Sequence, residues 1–273
     1  MPHADLNGLQ IHYDVHGQGE PLVCVHGLSC DRRAWVLQIG PFSERFQAVF
    51  FDNRDVGQST LATEQYTTAD MAEDVLALAD HLGLESFHLL GISLGGMVSQ
   101  QVALAAPERV RTLTLAVTHG GVQKAGQLRG RLLGAYARHL PREDQIDNLL
   151  YLCYTEAFFE NDEMVEFMRT ALLENPYPQP PEAFARQAAA GAAHDVRQRL
   201  GELTMPVHVI GAERDLMIPV WKSVELASLI PGAKLTIIEA QGHGVIWEGA
   251  DEFNRVVTEF LTAHPDRGLT VGT

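Results

Sequence analysis

Phe87-His88-Leu89-Leu90-Gly91-Ile92-Ser93-Leu94-Gly95-Gly96-Met97-Val98-Ser99-Gln100-Gln101-Val102-Ala103-Leu104 reads as a short buried strand that turns at one serine directly into a helix. A turn that tight forces Ser93 to φ > 0, and glycines two positions before and after it remove the Cβ atoms that would collide. The hydroxyl is thereby held out over the end of a sheet, above a helix N-terminus that favours developing negative charge. Gly-x-Ser-x-Gly alone is a weak pattern, because a glycine-flanked serine is also a good structural turn. Ser93 is a candidate nucleophile whose reading depends on the rest of the chain.

Outward from Ser93 the same kind of run recurs. Leu22-Val23-Cys24-Val25, Ala48-Val49-Phe50-Phe51, Leu113-Thr114-Leu115-Ala116-Val117, Val207-His208-Val209-Ile210 and Leu235-Thr236-Ile237-Ile238 are short, apolar or nearly so, and lack clean alternation. Buried parallel strands have that composition. The chain begins differently: Asn7-Gly8 is a tight-turn pair, and Leu9, Ile11, Tyr13 and Val15 alternate with polar residues, which predicts an antiparallel hairpin. Helical periods lie between the later runs, with Met71, Val75, Leu78 and Leu82 in one and Phe253, Val256, Val257, Phe260 and Leu261 in another. Alternating strand and helix implies an α/β fold, with a mostly parallel eight-stranded sheet and helices on both faces.

The alternation stops once, between Val117 and Val207, where no convincing strand occurs. This insertion after the sixth strand reads as a helical lid, with helices expected at 128–139, 144–158, 162–173 and 181–200 and a stiff break at Asn175-Pro176-Tyr177-Pro178-Gln179-Pro180-Pro181. Tyr151, Tyr154, Phe158, Phe159, Phe167, Met168 and Phe184 supply its apolar faces. The expected division is a core over 1–120 and 201–264, a lid over 121–200, and a frayed C-terminal tail over 265–273.

Composition excludes several classes. With 273 residues, 46% hydrophobic and 7% aromatic, the chain can bury a large core. Twenty Lys and Arg against 35 Asp and Glu give a formal charge of −15, which opposes partnership with nucleic acid or an anionic membrane. Cys24, Cys30 and Cys153 cannot all pair and show no metal or redox spacing, and Cys24 reads as strand core. The start, Met1-Pro2-His3-Ala4-Asp5-Leu6, has no basic-then-apolar leader, and nowhere do about 18 apolar residues run together. The expectation is a cytoplasmic, unanchored protein.

A nucleophilic serine needs a base, and the base needs a partner that fixes its tautomer. Gly211-Ala212-Glu213-Arg214-Asp215 follows one strand and Gly242-His243-Gly244 the next, both at carboxyl ends, where wound sheets place ligand sites. Asp215 fits the acid better than Glu213, because it immediately precedes Leu216-Met217-Ile218-Pro219, a loop able to turn toward the site. His243 stands out among 12 histidines for its flanking glycines, which let its backbone approach other loops. The oxyanion would be held by the backbone N–H groups of Leu28, in Val25-His26-Gly27-Leu28-Ser29, and of Leu94. His26 then reads as a loop anchor. His26, His119 and His243 lack the spacing and carboxylate neighbours of a zinc site, so neither metal nor cofactor is expected.

With His26-Gly27, Asp52-Asn53-Arg54-Asp55-Val56-Gly57-Gln58-Ser59, Gly91-Ile92-Ser93-Leu94-Gly95-Gly96, Asp215 and Gly242-His243 in this order, nearly the whole chain resembles an α/β-hydrolase. Within that family it is most similar to the 3-oxoadipate enol-lactonase and aclacinomycin methylesterase-like esterases and lactonases. Asp55 departs from the glycine more usual in the family at that position, and the methylesterase-like members are similar here. The resemblance implies the Ser93, His243, Asp215 triad, and serine at 93 sets the chain apart from the dehalogenase and epoxide-hydrolase branches. Asp52 and Arg54 are expected to form an ion pair bracing the oxyanion loop.

Three functions fit this reading. The first is hydrolysis of a small carboxylic ester or lactone through an acyl-enzyme. The second is carbon–carbon bond hydrolysis or cofactor-free perhydrolysis on the same triad. The third is a slow-turnover ligand-binding protein resembling the hormone receptors of this fold. Cys30, Trp35, Met97, Met217, Val245 and Trp247 lie near the triad in sequence and suggest an apolar pocket, although Trp35 and Trp247 also suit helix-face core. Arg32 and Arg33 could recognise a substrate carboxylate, but read better as solvated residues opening a helix. The sequence leaves the oligomeric state open, homo-oligomer included.

Overall fold

The computed structural model describes residues 2–121 and 124–265. The expected tail therefore lies, from residue 266 onward, outside the described residues. In chain order the elements are β1 (His3–Leu6), β2 (Leu9–His16), β3 (Glu20–Val25), α1 (Val36–Ser43), β4 (Phe46–Phe51), α2 (Thr68–His81), β5 (Phe87–Ile92), α3 (Leu94–Ala105), β6 (Val110–Ala116), α4 (Lys124–His139), α5 (Arg142–Cys153), α6 (Glu156–Phe159), α7 (Asp162–Leu173), α8 (Pro181–Ala193), β7 (Val207–Ala212), α9 (Trp221–Leu229), β8 (Lys234–Ile238), α10 (Val245–Glu248) and α11 (Ala250–Thr262).

The sheet has eight strands in the order β1-β2-β4-β3-β5-β6-β7-β8. β1 and β2 form the antiparallel hairpin, β2 pairs antiparallel with β4, and all later neighbours are parallel. The unbroken apolar runs follow from coverage on both faces. In β3, Val23 and Val25 point into the larger core cluster with Met71, Val75 and Leu78 of α2, while Leu22 and Cys24 point into the other with Phe253, Val256 and Val257 of α11. Helix α2 starts on a capping box, with Thr67 accepting from the Asp70 N–H and Asp70 accepting from the Thr67 N–H.

The chain leaves β3 for β4 on one side and returns past β3 to β5 on the other, so the strand order reverses between β3 and β5. In wound sheets the crevice at the carboxyl ends of such strands holds ligands. The loops after β3, β5, β7 and β8 carry Leu28, Ser93, Asp215 and His243 respectively.

Among the described residues five α-helices, α4 to α8, intervene between β6 and β7. The expected helix at 144–158 breaks at Tyr154, because the Cys153 carbonyl accepts from the Gly244 N–H at 2.7 Å and Glu248 captures the Thr155 N–H and hydroxyl. The expected helix at 181–200 stops at Ala193, since the following residues return to the core, where the Val196 N–H donates to the Gly120 carbonyl. Ile146, Leu150, Phe158 and Met168 form a small core within this insertion. Tyr151 and Phe167 do not join it; they are more than half exposed.

Candidate active site

Ser93 has φ 51° and ψ −119° between β5 and α3, a left-handed conformation costly for a residue with a Cβ. The surroundings enforce it. The Ser93 N–H donates to the Ala116 carbonyl, and the Ser93 carbonyl accepts from the Thr118 hydroxyl at 2.7 Å. Glycine is required on either side: a Cβ on Gly95 would strike the Val25 carbonyl, and one on Gly91 would strike Ser99 and the Gly95 carbonyl.

His243 Nε2 lies 3.0 Å from Ser93 Oγ, and His243 Nδ1 lies 2.7 Å from Asp215 Oδ2. The other carboxylate oxygen, Asp215 Oδ1, accepts from the Met217 and Ile218 N–H groups at 2.8 and 2.7 Å, which fixes the carboxylate and aims Oδ2 at the imidazole. Those two donors come from the Leu216-Met217-Ile218-Pro219 turn. Glu213 accepts instead from the Ala240 N–H. A carboxylate on Nδ1 leaves Nε2 as the atom able to take the serine proton.

The loop after β3 passes close over Ser93, since a Cβ on Gly27 would lie 3.2 Å from the serine Cβ. Leu28 and Leu94 both line the cleft above it. His26 is buried: its Nε2 accepts from the Asn53 N–H and its Nδ1 donates to the Gly27 carbonyl, so it ties this loop to the segment after β4. Burial pushes its pKa below the ordinary histidine value.

The expected Asp52–Arg54 pair does not form. Asp52 is bound by Arg32, through both its N–H and its guanidinium, and by the Gln58 N–H, while Arg54 makes a two-point pair with Asp74 of α2. Arg32 is therefore not solvated at a helix start; it is buried between Asp52 and Asp14. Asp52 and Arg54 each find a counter-charge on another element, Asp52 on the segment that opens toward α1 and Arg54 on α2. Arg33 is half-exposed and pairs with Asp31.

The cleft is partly open to solvent and is lined by Ser93, Met97, Met217 and Ile218 on the sheet side and by Arg129, Leu133, Gln187 and Ala188 of α4 and α8 on the other. Of the residues expected to shape it, Met97 and Met217 do so. Trp35 is fully buried against Phe50, Val245 is buried in the α11-side core, Trp247 packs between that core and the insertion, and Cys30 does not line the cleft. Burial pushes the Cys30 thiol up to about 12, so it is not a nucleophile at neutral pH. Sequence reasoning missed Arg129, Gln187 and His119. The last sat in a strand-end His119-Gly120-Gly121 segment, which was the available signal.

His119 is held neutral, its pKa pushed down to about 3 by burial and by nearby His194, Lys222 and Arg129. Among the described residues no cluster of three or more His, Cys, Asp or Glu is placed to hold a metal ion. Among them, too, no helix is long and apolar enough to cross a membrane.

The family model for the alpha/beta hydrolase fold matches residues 20–250. The chain is similar to a putative carbamate hydrolase, RutD, of Azorhizobium caulinodans, at 27% identity over 95% of this chain and 98% of the relative. It is equally similar, at 27% identity over 94% and 93% of the two chains, to the 2-hydroxy-6-oxo-6-phenylhexa-2,4-dienoate hydrolase of Comamonas testosteroni. Among solved structures, the enol-lactonase of Burkholderia xenovorans LB400 superposes with a TM-score of 0.88 at 26% identity, covering 96% of this chain and 100% of that one.

Proposed function

The chain belongs to the α/β-hydrolase family, and on that premise we propose that it is a serine hydrolase of small carboxylic esters or lactones. The observation that carries this reading is the continuous relay from Ser93 Oγ through His243 to Asp215, at 3.0 and 2.7 Å. Ser93 Oγ attacks the acyl carbonyl carbon while His243 Nε2 takes its proton, and Asp215 stabilises the imidazolium that results. The Leu28 and Leu94 N–H groups donate to the oxyanion of the tetrahedral intermediate. As the intermediate collapses, His243 protonates the leaving alcohol, and an acyl ester remains on Ser93. Water, deprotonated by His243, attacks that ester and releases the acid. For a lactone the leaving alcohol stays tethered to the product. Residues 121–200 act as the lid that shapes the cleft, without supplying a triad member.

The relatives' names favour keeping a second reading, since carbamate and carbon–carbon hydrolases both occur among them. A panel of acyl esters and lactones of graded size, run beside carbamates and a vinylogous diketone, separates the readings, with the Ser93→Ala variant as the blank. The proposal expects esters or lactones to give the highest kcat/KM. A carbamate or diketone that outpaced them by orders of magnitude would overturn it. Burst release of alcohol with negligible later turnover would favour a receptor-like protein, and peracid formation with added peroxide a perhydrolase.

A further inference from the structure

Buried arginines in this protein are paired: Arg32 with Asp14 and Asp52, and Arg54 with Asp74. Arg129 of α4 is the exception at the site. It lines the cleft with Ser93, its guanidinium is partly buried, and among the described residues it makes no hydrogen bond or ion pair. The opposite charge that acts on it is Asp215, whose two oxygens are committed to His243 and to the Met217 and Ile218 N–H groups. Beside it in the lining, Gln187 is fully buried; its Oε1 accepts from the Ser29 N–H and from Gln179, but its Nε2 has no partner among the described residues.

A half-desolvated guanidinium without a counter-charge is unfavourable in the empty protein, and an anion that reaches it in the cleft repays that desolvation. The fork of N–H donors matches a carboxylate at two points, and the Gln187 amide adds a third donor in the same lining. Among the described residues that line the cleft Arg129 is the one Lys or Arg, in a chain whose formal charge is −15.

We propose that Arg129, assisted by Gln187, is the carboxylate receptor of the cleft, so that the substrate is an ester or lactone bearing a free carboxylate away from the scissile bond. This rests on the serine-hydrolase reading for its chemistry, but not for its binding.

Two arms test it. In the first, kcat/KM is measured for 4-nitrophenyl monoesters of glutaric, adipic and pimelic acids against the matching terminal amides, and for acetyl esters of hydroxybenzoates against the hydroxybenzamides. At least one carboxylate substrate should exceed its amide by about 10-fold or more, and Arg129→Gln should lower that ratio by about 10–100-fold, as expected for a charged hydrogen-bonded pair. Arg129→Lys, which keeps the charge but not the fork, should fall between. In the second arm, binding of free glutarate, adipate and pimelate to Ser93→Ala protein is measured by calorimetry, with and without Arg129→Gln. Binding that disappears with the guanidinium supports the receptor even if no ester is turned over, which would overturn the hydrolase reading alone. Carboxylate and amide substrates used equally, or a preference and dicarboxylate binding unmoved by Arg129→Gln, would overturn the receptor.

Discussion

Asp215 owes its orientation to two backbone donors, and that separates it from Glu213 more sharply than position does. Because Met217 and Ile218 hold Oδ1, Oδ2 is left for the imidazole, whereas Glu213 caps the Ala240 N–H on the far side of the loop. Asp215→Asn should therefore lower kcat by about three to four orders of magnitude through loss of the tautomer-fixing acceptor. Glu213→Gln should change it by no more than about threefold, as for a surface substitution. Steady-state kinetics on a saturating ester, with circular dichroism to verify the fold, reads both; reversed losses would make Glu213 the acid. This part of the site was legible in sequence, because each triad candidate stood at the end of an apolar run. Arg129 was not, because a helical arginine in a polar-looking segment carries no signal until α4 is laid over Ser93.

Between elements, the residue that departs from the family pattern has a structural partner. Asp55, at φ 72° and fully buried, makes a two-point pair with Arg186 of α8, while its carboxylate also accepts from the Ala62 N–H. The insertion is thereby pinned to the segment after β4, and Gln187 also ties it to the loop after β3 through the Ser29 N–H. Removing the cation strands a buried carboxylate, so Arg186→Met should destabilise by about 3–5 kcal/mol. Asp55→Gly should cost less than half of that, because glycine suits the left-handed backbone and Arg186 can still reach water. Urea midpoints at constant m-value compare the two; equal losses would mean that the pair is not what holds α8 down. Strands and long core helices were readable from periodicity alone. The ends of α5 and α8 were not, because they are set by partners distant in sequence, Gly244, Glu248 and Gly120. The same distance hid the exchange of partners around Asp52 and Arg54.

Across the whole molecule, several histidines are buried in the neutral form. Burial is the largest cause in each case, holding His119 at about 3 and His194 and His208 at about 4. In the unfolded chain these rings titrate near 6.5, so between that pH and about 4 the unfolded state binds protons that the folded state refuses. Stability is therefore fully present above about pH 6.5 and is lost as pH falls through that window, by about 1–3 kcal/mol for each ring. Thermal melts from pH 7.5 to 4.5 should show a falling midpoint, with a shallower fall in His194→Gln. A flat profile would mean that these rings stay protonable when folded. All of this scaffolding serves one placement, a strained serine hydroxyl in line with an imidazole and a carboxylate, and covalent capture tests that placement most directly. Incubated with a serine-reactive fluorophosphonate, the protein should gain a single adduct by intact mass, mapped to the Ser93 peptide and absent from folded Ser93→Ala. A folded wild-type protein that takes no label, or takes it at another residue, would contradict the account.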